Sequence, residues 1–165
     1  MNIKARPWTI GQDTYTFSAE NLPDFAWVAG PPVCGLTTLL KNIRLAYLGH
    51  FNPLGGIPVQ IRTKEDRQHR MHTEWVRPTI NTREGSLARI ERILGRMKHA
   101  EKRTLFFIDE PCRGLHPEQA YALGRDMREV ARDWDHKVLC AVKSYDWCEA
   151  GLPSEGFLVE VKSNG

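Results

Sequence analysis

The order strand, glycine loop, helix around residue 30 constrains this chain more than any other feature. Phe25–Ala29 (FAWVA) is an apolar run of strand length, and Gly30-Pro31-Pro32 stops it abruptly. From Thr37 to about Leu48, the residues Leu39, Leu40, Ile43 and 45–48 recur at helical spacing. The connecting stretch, Gly30 to Thr38, reads GPPVCGLTT. A phosphate-binding loop needs GxxxxGK[ST] in this setting. Its glycines let the backbone wrap an anion, successive N–H groups point inward, and the new helix adds its positive end. Here both glycines, the spacing and a hydroxyl at Thr37 are present, but the lysine position holds Leu36. Leucine brings neither charge nor hydrogen bond to the outer phosphates.

A second motif fits the first. TLFFI (Thr104–Ile108) is a short apolar run suited to a buried parallel strand, and Asp109-Glu110 follow it at once. Open α/β sheets place ligand chemistry at the C-terminal ends of such strands. Asp109, with Thr37, is suited to hold Mg²⁺ through hard oxygen ligands. Glu110 is suited to polarise an attacking water as general base. An acidic strand end that only caps the next turn is the plainer alternative for this pair, as a simple glycine turn is for the loop.

The remainder alternates helices and strands. Ile57–Ile61 reads as a short strand, and residues 62–85 as a long basic loop. A helix opens at Ser86, with Leu87, Ile90, Ile93, Leu94 and Met97 on one face. Pro117–Arg132 is a third helix, Lys137–Val142 another buried strand and Gly156–Val161 a final one. Together with short strands before residue 30, this predicts a three-layer α/β fold, a mostly parallel sheet flanked by helices. The length of 165 residues predicts one domain. Its parts are N-terminal strands (1–29), glycine loop and helix (30–48), basic loop (62–85), second helix (86–99) and the acidic-motif half (104–165).

Taken in order, these segments resemble the ATPase domain of the MutS mismatch-repair family. GPPVCGLTTLLKNI is similar to that family's GPNMGGKSTLLRQ, and AYLGHFNP (46–53) to AYIGSYVP. IRTKEDR (61–67) sits where the family has a RIFTR-type strand and loop. GSLARIERIL (85–94) resembles its STF…ETANIL helix, FFIDEPCRGLHPEQAYAL (106–123) resembles LLDEIGRGTSTFDGLAL, and AVKSYDW (141–147) resembles the ATHY segment. DEPCRGL also resembles DEPTSGL of the related ABC ATPases. The departures are Leu36 for lysine, Pro32 for asparagine, Ser144 where a switch histidine belongs, and His116-Pro117 inside the TSTxDG stretch.

The resemblance implies a P-loop fold of ABC/MutS type binding ATP or ADP with Mg²⁺. Gly30, Pro31, Pro32, Val33, Cys34, Gly35, Leu36, Thr37 and Thr38 then form the nucleotide cradle. Asp109 and Glu110 become the catalytic acids, and Ser144 flanks the phosphates. Phe17, in a segment similar to the family's FIAN, becomes the adenine-stacking candidate, with ordinary core packing as the alternative. Ser86 would meet the γ-phosphate of a neighbouring subunit, so the implied partners are a second copy or a larger protein. Without the loop lysine, hydrolysis is expected to be weak or partner-dependent. Lys41, Lys143 or a partner's residue is left to substitute. A scaffold that keeps the fold without turnover is the competing expectation.

Charge adds one more. Residues 62–103 hold twelve Lys+Arg against six Asp+Glu, so a DNA contact is expected there if anywhere, with Trp75 the aromatic candidate. A solvated face explains the same charges. The four cysteines at 34, 112, 140 and 148 lack zinc or CxxC spacing and predict reduced thiols. No run nears the roughly 18 apolar residues of a membrane span. The expected location is cytoplasmic.

Overall fold

Three apolar runs build the centre of the molecule. In the computed structural model, β5 (Phe25–Gly30) and β8 (Thr104–Asp109) are buried at every position. The third run, β9 (Lys137–Lys143), is buried at all but its two end lysines. Strands buried on both faces need a partner on each side and a layer above and below. They receive both in a five-stranded, all-parallel sheet, β10-β5-β9-β8-β7, whose outer strands are β10 (Phe157–Glu160) and β7 (His72–Val76). The structure describes residues 1–50, 56–65, 69–77, 85–143 and 157–164.

Alternation along each strand divides the core in two. Ala26, Val28, Leu105, Phe107, Leu139 and Ala141 face one side. Phe25, Trp27, Phe106, Ile108, Val138 and Cys140 face the other. On the first side lies α1 (Leu36–Tyr47), which buries Leu36, Leu39, Leu40, Ile43 and Tyr47 as one stripe. An antiparallel sheet of β4 (Ser18–Ala19), β1 (Asn2–Ala5) and β6 (Val59–Arg62) packs beside it. On the second side lie α2 (Ser86–Lys98) and α3 (Pro117–Asp133), packed on each other. The helix–sheet–helix layering follows from the two apolar faces of the sheet. It is a mixed α/β fold with a parallel sheet flanked by helices, as the sequence predicts.

One difference from the sequence reading has a physical cause. The expected basic loop of 62–85 contains β7, paired in register with β8 from His72↔Thr104 to Val76↔Ile108. As an edge strand it buries only Thr73 and Val76, so charged neighbours hide its period of two. Side chains from both layers hold it in place. Arg44 of α1 donates to Thr73 Oγ1 at 3.1 Å, the Met71 N–H donates to the Tyr47 hydroxyl at 2.8 Å, and Arg96 of α2 pairs with Glu74. The third helix begins at Pro117, as the sequence predicts. Proline suits the first helical position, and Gln119 Oε1 accepts from the His116 N–H at 3.2 Å.

A small sheet, β11-β3-β2, completes the fold. Its hairpin joins β2 (Trp8–Ile10) to β3 (Asp13–Thr16) through Gly11 at φ 64°, and β11 (Lys162–Ser163) adds to β3. Among the described residues, no helix is long and apolar enough to cross a membrane.

Candidate functional site

In a parallel sheet every strand ends at the same edge. The ends of β5, β9 and β8 therefore bring Gly30, Lys143 and Asp109 together: Gly30 is in register with Lys143, and Asp109 with Ala141. The glycine loop and the acidic pair meet there although they are far apart in sequence. Thr37 Oγ1, in the first turn of α1, donates to Asp109 Oδ2 at 2.8 Å.

Asp109 is 3% exposed, and its second oxygen, Oδ1, is buried without a hydrogen-bond partner. Burial pushes its pKa above the usual carboxylate range and Glu110 adds to the rise, while the Thr37 hydroxyl, Arg77 and Lys41 act the other way. A buried carboxylate oxygen left unfilled is unusual. A hard cation fits it, because such ions take carboxylate and hydroxyl oxygens.

The loop backbone alternates in hand. Val33 and Gly35 lie in the left-handed region at φ 63° and 84°, with Cys34 between them at negative φ. Alternating hands of this kind turn successive N–H groups toward one point. Gly35 is the residue before α1 and closes its first hydrogen bond, from the Leu39 N–H at 2.8 Å. Inside the loop, the Cys34 N–H donates to the Pro31 carbonyl at 3.3 Å. Pro32 is exposed, as is Thr38, whose carbonyl accepts from Asn42 Nδ2 at 2.7 Å. Gly30 tolerates no side chain: a Cβ there would stand 2.6 Å from Cys34 Sγ and 3.3 Å from Val161 Cβ.

For a β-branched residue the left-handed conformation is costly, about 1–3 kcal/mol. Val33 recovers none of this through packing, since it is 77% exposed. Val33→Gly is therefore expected to stabilise the protein by about 0.5–1 kcal/mol, after the extra backbone entropy glycine loses on folding. Differential scanning calorimetry should read a rise of roughly 1–4 °C. An unchanged or lower melting temperature would contradict a left-handed Val33.

Cys34 and Leu36 face inward. Both are buried in the core on the α1 side of the sheet. Burial pushes the Cys34 thiol up, against the Leu36 and Cys34 N–H groups and the Lys143 ammonium, which lower it. Glu110 has φ 50°, and its N–H donates to the Ala141 carbonyl at 2.9 Å. Two cations hold its carboxylate: Lys143 Nζ at 3.2 Å and Arg113 Nη1 at 3.7 Å.

Other expected site residues lie elsewhere. Phe17 is 3% exposed in the core and offers no open ring face to a base, so the core alternative holds. Ser86 opens α2, on the sheet face opposite α1. Ser144 lies outside the described residues, as do Trp147 and Cys148. Among its described residues, the basic stretch 62–103 divides between the two sides of the sheet: Arg62 ends β6, which joins β1, while α2 packs on α3. Trp75 packs partly buried against the core, with Lys41 Nζ 5.9 Å from its ring centre.

Trp8 was not singled out by sequence reading. Its indole N–H donates to the Cys34 carbonyl at 2.8 Å, and with Ile10 it faces the space beside Gly35. The two β-prone runs around Gly11 (WTI and DTYT) are a hairpin signal, but nothing in them points to the loop. No protein family matches the chain, and no curated protein matches it.

Proposed function

We propose that this chain is a P-loop-type nucleotide-binding domain that takes ATP or ADP with Mg²⁺ between the glycine loop and Asp109. One observation carries the reading: Thr37 and Asp109, 72 residues apart, share a 2.8 Å hydrogen bond, and Asp109 Oδ1 is left buried and unpartnered beside it. Strand-end placement, the left-handed pair Val33 and Gly35, and the resemblance to MutS and ABC ATPases point the same way.

In this reading the loop's backbone N–H groups and the α1 N-terminus hold the phosphates. Thr37 and Asp109 would hold Mg²⁺, which would neutralise charge on the phosphate oxygens. Among the described residues, Glu110 is the carboxylate that would act on a water, but its ion pairs with Lys143 and Arg113 occupy it. Binding with slow turnover follows. Leu36 favours a second reading, a scaffold that keeps the fold without the nucleotide, because it packs in the core and brings no charge to the loop.

Thermal denaturation with a panel of nucleotides separates the two. Mg²⁺-ATP at a hundredfold excess over Kd should stabilise the chain by about 2.7 kcal/mol, a rise of roughly 5–10 °C. AMP, and ATP with EDTA, should do much less. Equal melting temperatures under all conditions would support the scaffold.

A further inference from the structure

A loop without its lysine still needs a positive charge near the outer phosphates. Sheet topology decides which residue can bring it. Of the five strands, only β9 lies between β5, which feeds the glycine loop, and β8, which carries Asp109. Its last residue is Lys143, in register with Gly30 where the loop begins. From there the side chain reaches across to Glu110, with Nζ at 3.2 Å from Oε1. Its charge is also felt at Cys34, inside the loop. The ammonium thus stands between the loop and the acidic pair.

Other cations near the site are less suited. Lys41 lies over the Trp75 ring. Arg77 follows β7, the outer strand, with two strands between it and β5. Arg113 is half-exposed and farther from Glu110, at 3.7 Å.

We propose that Lys143 is the phosphate-binding cation of this site, supplying from the neighbouring strand the charge that Leu36 does not. The inference rests on the nucleotide reading above. When a nucleoside di- or triphosphate enters, the ammonium exchanges the Glu110 carboxylate for the outer phosphate oxygens, a more highly charged partner. The same exchange releases Glu110 from its closest cation. No bond is made or broken; one ion pair replaces another. The ligand class follows: nucleotides with at least two phosphates are held, and AMP is not.

Isothermal titration of Mg²⁺-ATP into single and double variants tests this. Lys143→Gln should weaken binding about tenfold or more, and Lys143→Arg should restore most of it. In a Leu36→Lys background, Lys143→Gln should cost much less, because two cations then serve the same phosphates. Glu110→Gln gives a separate reading that leaves Lys143 in place. It should tighten binding several-fold, and the gain should vanish when Lys143 is also glutamine; simple relief of carboxylate–phosphate repulsion would persist there. If the unaltered chain binds Mg²⁺-ATP and Lys143→Gln binds it equally well, the role of Lys143 is overturned and the nucleotide site stands. A gain from Glu110→Gln that survives Lys143→Gln also overturns it. If the unaltered chain binds no nucleotide, both readings fall together.

Discussion

Leu36→Lys is expected to tighten Mg²⁺-ATP binding about ten- to hundredfold while lowering the melting temperature of the nucleotide-free protein. The affinity gain requires the longer lysine to turn from the inward course of Leu36 toward the loop, where its ammonium makes a charge-assisted hydrogen bond to phosphate worth about 1.5–3 kcal/mol; each 1.4 kcal/mol is about tenfold. The loss has a separate source. Leu36 is 7% exposed and packs in the α1-side core with Leu39, Leu40 and Ile43. Burying a leucine contributes about 1.5–3 kcal/mol, and a lysine keeps part of that through its methylene stem. A fall of roughly 2–6 °C follows for a chain of this size, and Mg²⁺-ATP should reverse it. Titration calorimetry and thermal denaturation of the same variant read both effects. A variant with unchanged affinity would mean that residue 36 does not face the phosphates.

Asp109→Asn should separate stability from function in the opposite sense. Burial raises the folded-state pKa of Asp109. As pH rises through the ordinary carboxylate range, the unfolded chain loses this proton first, so the folded state binds more protons and stability falls. Above the raised pKa the penalty is fully present. Asparagine removes the charge and keeps an acceptor for the Thr37 hydroxyl. The variant should therefore melt higher than the parent at pH 7, and the difference should disappear below a pH of about 4. At the same time it withdraws the charged ligand at Oδ1, so Mg²⁺-ATP binding should weaken about tenfold or more. A lower melting temperature at pH 7, or unchanged Mg²⁺ dependence, would contradict the placement of Asp109 as a buried carboxylate awaiting a cation.

Particular residues show how far the fold and the site could be read in advance. FAWVA, TLFFI and KVLCAV are legible as central strands because continuous apolar runs of that length need burial on both faces. His72–Val76 is not, since an edge strand with His72 exposed and Glu74 and Trp75 only partly buried carries little apolar signal. The meeting of Thr37 with Asp109 is legible from motif spacing, because parallel strands end on a common edge. Phe17 stays open between stacking and core in the sequence: an aromatic residue looks the same whether it lies in a core or at a site, and here it is core. The left-handed Val33 is hidden for a stronger reason, since its residue type argues against the conformation the loop takes. Trp8 is hidden because its hydrogen bond to Cys34 spans 26 residues and depends on where the hairpin lies. Lys143 stands out only once the register beside Gly30 is known.

The nucleotide site itself is tested most directly by isothermal titration of Mg²⁺-ATP into the unaltered chain. The expected result is one nucleotide per chain, with a Kd between about 1 μM and 1 mM, equivalent to roughly 8 down to 4 kcal/mol. Binding should be lost or strongly weakened in EDTA. No binding at millimolar Mg²⁺-ATP, by a chain whose thermal unfolding is cooperative, would contradict it and leave the α/β fold as a scaffold.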